Sequence, residues 1–199
     1  MKIAIIGTGS VATRLQTLFS EAGHDVVLGS RSPVSPQVTH QEACVERDVI
    51  VLAIPFVAVE DVLVELKDAI GSAVVVDATN PVNDDWSPYL MGAEDSAGET
   101  IQRALPEARV VKGFNTIFAD VMTTEGVERQ GRPAGAFLAG DDPTAVQLVA
   151  ELANSIGLQA VPTGPLKNSR YLEAMAHLNI AIAVGEGGGT GAAFIYDRG

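Results

Sequence analysis

Short apolar runs rich in β-branched residues recur along this chain at helix-length intervals: Ile3 to Ile6, Val26 to Leu28, Val49 to Ile54, Val74 to Val76 and Val110 to Val111. A strand that is apolar on both faces must be covered on both, as in parallel sheets sandwiched between helices. Ala136 to Ala139 and Leu158 to Val161 extend the set to about seven strands. The segments between them have helical periodicity. Val11, Leu15, Leu18 and Ala22 recur on one helical face before Gly23. Val59, Val62, Leu63, Leu66 and Ile70 form a second stripe that stops at Gly71. Asp142 followed by Pro143 is an N-cap with proline in the first turn, opening a helix through Val149, Leu152 and Ile156 to Gly157. This alternation predicts an α/β fold built on a doubly wound, mainly parallel sheet.

Two segments depart from the alternation. Residues 82–98 are polar and turn-rich and are expected to form a long loop. A helix from about Leu166 to Val184 ends in the glycine cluster Gly185, Gly187, Gly188, Gly189 and Gly191. The expected organisation is therefore a dinucleotide-binding unit over 1–164, with a C-terminal helix and glycine-rich tail over 165–199. That helix is apolar around most of its circumference, which predicts cover by a second copy of the chain in a homodimer.

Charge narrows the partners. Thirteen Lys and Arg against 25 Asp and Glu give a net charge of −12, so a phosphate backbone would meet an acidic surface and nucleic acid is excluded as a partner. No apolar run approaches the roughly 20 residues needed to span a bilayer, and Met1-Lys2 leads directly into strand-like sequence, so no membrane association and a cytoplasmic location are expected. The single Cys44 forms no internal disulfide and anchors no metal cluster; no metal site is expected.

After the first run the chain reads Gly7-Thr8-Gly9-Ser10-Val11-Ala12, a G-x-G-x-x-A form of the dinucleotide fingerprint placed between strand and helix. Gly7 allows the tight turn, Gly9 lets backbone N–H groups approach a pyrophosphate, and Ala12 lets the helix pack closely. The sheet is accordingly expected to be a Rossmann fold. The second strand ends in Ser30-Arg31, where an NAD-preferring site would place a carboxylate. A hydroxyl and a guanidinium there favour a 2′-phosphate, hence NADP(H). Ala53-Ile54-Pro55 and Asn80-Pro81 close the third and fourth strands, where open α/β sheets bind ligands, and are assigned to the walls beside ribose and nicotinamide.

Taken with Val111-Lys112-Gly113-Phe114-Asn115-Thr116-Ile117, Phe137 to Asp142 and Tyr171-Leu172-Glu173, these motifs resemble the F420-dependent NADP reductases over nearly the whole chain. The cytoplasmic domains of membrane metalloreductases share the same core. The resemblance implies hydride transfer between C4 of the nicotinamide and C5 of the deazaflavin coenzyme F420. It also implies Thr8, Ser30 and Arg31 at the adenosine phosphate, and Ile54 and Pro55 beside the nicotinamide. Several family members carry a further basic residue soon after the arginine; here Ser32-Pro33-Val34-Ser35-Pro36 follows, implying a weaker clamp. Lys167 and Arg170 are candidates to offset the anionic tail of that coenzyme.

For the second substrate the candidates are Asn115, Thr116 and His177; no catalytic residue is assigned. The strand ends offer hydroxyls and carboxamides but no evident Lys, His or Tyr general acid, in keeping with hydride exchange between two coenzymes. Lys112 is placed at a sheet edge or helix interface. His24 and His40 are expected to be solvated, and His177 to pair with Glu173 on the helix surface. Asp84-Asp85 and Asp141-Asp142 read as turn and cap chemistry, and Cys44 as a small buried hydrophobe. Two alternatives stay open: an NADPH-dependent reductase of flavin, ferric chelate or a small carbonyl, and a non-enzymatic NADP(H) sensor.

Overall fold

The computed structural model describes residues 1–197. Six strands run parallel: β1 (Lys2–Ile6), β2 (Asp25–Ser30), β3 (Val38–Thr39), β4 (Val49–Leu52), β5 (Val74–Asp77) and β6 (Arg109–Lys112), in the spatial order 3-2-1-4-5-6 of a dinucleotide-binding sheet. Pairing Ile5 with both Leu28 and Val51 puts β1 at the centre. The chain thus reverses direction beside β1, which opens a crevice at the C-terminal strand ends.

Along β1, Ile3 and Ile5 face one layer while Ala4 and Ile6 face the other. The first layer holds α1 (Ser10–Glu21), α5 (Pro143–Ser155) and the segment around Phe114, Ile117 and Val121. The second holds α2 (His40–Cys44), α3 (Val59–Ile70) and α4 (Ala97–Ala104). All five apolar residues expected on the α3 stripe are its buried ones. On α1 the face is rotated: Ala12 and Phe19 are buried with Leu15 and Leu18, while Val11 faces the crevice and Ala22 is exposed. Asp142 caps α5 by accepting from the Ala145 N–H at 2.7 Å.

All seven expected strands are present, and the large sheet has an eighth, the two-residue β3. A hairpin of β7 (Glu128–Arg129) and β8 (Arg132–Pro133) stands apart, turning at Gln130 and Gly131, both with positive φ. Beyond β6 the sheet reverses polarity. β9 (Gly135–Gly140) is antiparallel to β6, and β10 (Gln159–Pro162) is parallel to β9. The stretch expected to be loop is shorter than 82–98, because α4 starts at Ala97. There Ser96 accepts from the Glu99 N–H, and its hydroxyl donates to the Glu99 carboxylate at 2.7 Å.

The expected C-terminal helix changes pitch twice: a 3₁₀ turn Leu166–Asn168, α6 (Ser169–Ile180), then a π turn Ala181–Gly185. Leu172 of α6 packs with Phe137, Ala139 and Val161 on the β9–β10 end of the sheet. The tail folds back within the same chain, where Phe194 accepts from the Gly135 N–H at 2.8 Å and its ring meets Phe137 edge-on.

Candidate active site

Two cavities open along the C-terminal strand ends and share the wall made by Gly9, Ala53, Ile54 and Pro55. The first, about 440 Å³, is lined by Gly7, Thr8, Gly9, Ser30, Arg31 and His40. The second, about 480 Å³, is bounded by Ser10 and Val11 of α1, Thr79 and Asn80 after β5, Asn115 and Thr116 after β6, and Ala176, Asn179 and Ile180 of α6.

The glycine turn is shaped by its neighbours. Gly7 has φ +128 and donates its N–H to the Gly29 carbonyl at 3.0 Å, so the backbone turns between β2 and β4. A Cβ there would lie 2.2 Å from the Ala53 carbonyl oxygen. At Gly9, the N-cap of α1, a Cβ would meet nothing within 4 Å. That open space in front of a helix N-terminus is what a pyrophosphate requires. The Ser30 hydroxyl accepts from the Ser32 N–H at 3.2 Å, leaving its own proton to donate, and Arg31 is exposed beside it. The first cavity therefore fits a phosphorylated dinucleotide.

The second cavity is framed by a closed ring of polar contacts. Lys112, completely buried on β6, lies 2.8 Å from Asp77 Oδ2 and 2.9 Å from Glu173 Oε1, and donates to the Thr79 carbonyl at 2.7 Å. Burial opposes its charge, but Asp77 and Glu173 outweigh that and hold the ammonium above the usual lysine range. Glu173 also accepts from the Ala97 and Gly98 N–H groups at the start of α4. Asn115 Nδ2 donates to Asn80 Oδ1 at 3.0 Å and to the Leu172 carbonyl at 3.1 Å, while Asn80 Nδ2 donates to the Asn115 carbonyl at 2.7 Å. Two acceptors around one Asn115 atom fix which end of that amide is nitrogen. Thr79 Oγ1, Asn115 Oδ1 and Thr116 Oγ1 are buried without a protein partner.

Most of the expected site residues thus meet at the paired cavities, but Pro81 and His177 do not. His177 Nε2 donates to the Pro81 carbonyl at 2.9 Å in a separate cavity bordered by Tyr89 and Arg170. His177 does not pair with Glu173, which points into the protein toward Lys112. Arg170 is bound to Glu99 at 2.8 Å and Glu94 at 3.3 Å, and so is not a free cation for a substrate tail. His24 lies in the turn before β2 as expected and is partly exposed, whereas His40 is not a solvated loop residue. His24 bridges the N-terminal amine and Ser155. His40 is 7% exposed, in the wall of the first cavity. Cys44 is buried as expected, and burial pushes its thiol up to about 11. Lys112 carried no readable sequence signal, because its partners lie 35 and 61 residues away in Asp77 and Glu173.

The family model of coenzyme F420-dependent NADP oxidoreductases matches residues 2–81. The F420-dependent NADP reductase of Methanothermobacter thermautotrophicus is 31% identical, with 92% of this chain aligned to 90% of that protein. The chain belongs to the F420-dependent NADP reductase family. A candidate F420-dependent NADP reductase from Arthrobacter sp. FB24 superposes with a TM-score of 0.86 at 27% identity, over all of both chains. The metalloreductase STEAP3 of Rattus norvegicus is 29% identical over 87% of this chain but only 36% of its own length. The family model ends with the Thr79-Asn80-Pro81 turn, whereas the alignment to the Methanothermobacter thermautotrophicus reductase covers 92% of the chain. No helix among the described residues is long and apolar enough to cross a membrane.

Proposed function

We propose that the chain is an NADP(H)-dependent oxidoreductase that passes a hydride between the nicotinamide and the deazaflavin coenzyme F420. The observation that carries this reading is the shared wall at Ile54 and Pro55, where two cavities meet and two flat ring systems can lie face to face. In this reading the backbone N–H groups of Gly9, Ser10 and Val11 hold the pyrophosphate. Ser30 and Arg31 hold the 2′-phosphate, with Thr8 beside them. Ala53, Ile54 and Pro55 support the nicotinamide, and Asn80, Asn115 and Thr116 face the second ring. The bound coenzymes supply the redox chemistry; the protein orients them and excludes water. Among the described residues Asp120 is the single titratable side chain in the wall of the second cavity, which suits a transfer that needs no proton donor at the reacting carbon.

The test is steady-state oxidation of NADPH with F420, FMN, FAD and ferric chelates as acceptors. Turnover with F420 is expected. Turnover confined to flavins or ferric chelates overturns the deazaflavin assignment, and tight NADPH binding with no turnover makes the protein a sensor. Arg31→Ala should weaken NADPH by about 1.5–3 kcal/mol while leaving NADH nearly unchanged, since only the 2′-phosphate uses the charge. Fluorescence titration with both dinucleotides checks this; equal losses would give Arg31 another role.

In the same proposal, residues 1–164 carry the nucleotide, and α6 with the tail closes the second cavity and joins two copies. Tyr171 and Leu178 lie on one outer face of the helix at 70% and 56% exposure, while Phe194 of the folded-back tail covers the sheet end. Sedimentation should therefore give a dimer that Leu178→Glu converts to monomer; a monomeric wild-type chain overturns it. A cytoplasmic location belongs to this reading too, resting on the lone thiol of Cys44.

A further inference from the structure

The parallel pairing of β2 with β3 sets Gly29 against Val38 and Ser30 against Thr39. Arg31 and His40, the first residue of α2, directly follow the paired strand ends at the mouth of the nucleotide cavity, and both line it. Gly29 makes the close approach possible, because a Cβ there would lie 2.9 Å from the Ile6 side chain and 3.3 Å from His40 Cα. The resulting position is unusual for an imidazole. The residue as a whole is 7% exposed and makes no hydrogen bond among the described residues, but its ring nitrogens are not sealed from solvent, so the polar edge opens on the cavity. An imidazole edge that meets no protein partner and opens on a cavity beside a guanidinium is free to meet a ligand there. Between Arg31 and His40 the sequence Ser32 to Thr39 offers no other cation.

We propose that His40 is the second cation of the 2′-phosphate subsite, taking up one proton from solvent as the phosphate binds beside Arg31. The inference rests on NADP(H) being the dinucleotide. In the free protein burial lowers the imidazole pKa; Glu65 on α3 opposes that and Arg31 adds to it. On its own element Glu42 is engaged by the Thr39 N–H and hydroxyl. The imidazole is thus neutral in the free protein near pH 7, and an arriving dianion raises its pKa. By linkage, NADP+ binding strengthens as pH falls from about 8 to about 6. The phosphate works the other way. Its second pKa is near 6, and contact with Arg31 alone would make it release a proton on binding.

The sign of the proton exchange decides the matter. Calorimetric titration of the full chain with NADP+ and with NAD+, at pH 6, 7 and 8 in buffers of different ionisation enthalpy, is expected to give net proton uptake for NADP+ only. The preference for NADP+ over NAD+ should rise severalfold from pH 8 to pH 6. In His40→Gln the uptake should vanish and the preference fall slightly on acidification. Net proton release in the wild-type protein overturns the proposal without recourse to any variant. So does a His40→Gln protein that weakens both dinucleotides equally at every pH, which would mark a packing role. A preference for NADP+ that ignores pH sinks the His40 assignment and leaves the NADP reading intact, whereas no preference at any pH overturns both.

Discussion

Replacing Lys112 with methionine is expected to destabilise the protein by about 3–5 kcal/mol, the usual consequence of removing one partner from a buried ion pair. The reason lies in what is left behind. Asp77 and Glu173 would remain as two carboxylates with no exposed surface to relieve them, at 0% and 4% exposure, and the Thr79 carbonyl would lose its donor. Against a total stability of about 5–15 kcal/mol this is a large fraction, and for a chain of this size it corresponds to a fall in Tm of roughly 10 °C or more. The pH dependence has a definite sign. Without the ammonium, the buried carboxylates take up protons more readily in the folded protein than in the unfolded one, so the deficit should be smaller at pH 5 than at pH 8. Adding Asp77→Asn and Glu173→Gln to Lys112→Met should recover part of the loss, since uncharged polar groups cost less to bury. Thermal unfolding at both pH values checks each step. A single variant within about 1 kcal/mol of wild type would show that water or rearrangement relieves the carboxylates, and that the cluster does not clamp α4 and α6 to the sheet.

That cluster also marks where sequence reading stops. Local signals were legible: the fingerprint at Gly7 to Ala12, the Ser30-Arg31 strand end, the α3 stripe and the Asp142-Pro143 cap are each written within one element or turn. The Ser96 N-cap of α4 was equally local, with Glu99 three residues on, but the polar run before it masked the helix start. Contacts that depend on the topology of distant segments were not legible. Lys112 looks like a misplaced charge inside a strand until α6 is seen to bring Glu173 beside it. His40 looks solvated in a polar stretch until the two-residue β3 pairs with β2. The reversed polarity of β9 has no sequence mark either, because an apolar run reads the same in both directions.

The two fingerprint glycines should respond differently to the same one-carbon change. In Gly7→Ala the new Cβ would sit 2.2 Å from the Ala53 carbonyl oxygen and 2.9 Å from its carbon, both backbone atoms, at φ +128 where an alanine is strained on its own account. Neither atom can swing aside as a side chain tip would. β4 or the turn must move, with a combined cost of about 3 kcal/mol or more from overpacking and strain. Because the turn positions the start of α1, NADPH affinity should fall with it by about a hundredfold or more, roughly 2.7 kcal/mol. Gly9→Ala presents the opposite case. Its backbone, at φ −76 and ψ −176, suits any residue, and its Cβ would meet no protein atom within 4 Å. The fold should be unaffected, with Tm within about 2 °C of wild type. The methyl group would instead occupy the space that the pyrophosphate needs, so NADPH binding should fall by tenfold or more. Thermal unfolding and NADPH titration of both variants separate the roles. A Gly9→Ala protein that binds NADPH like wild type would show that the pyrophosphate does not approach this backbone. A Gly7→Ala protein of unchanged Tm would show that β4 yields more easily than a paired central strand should.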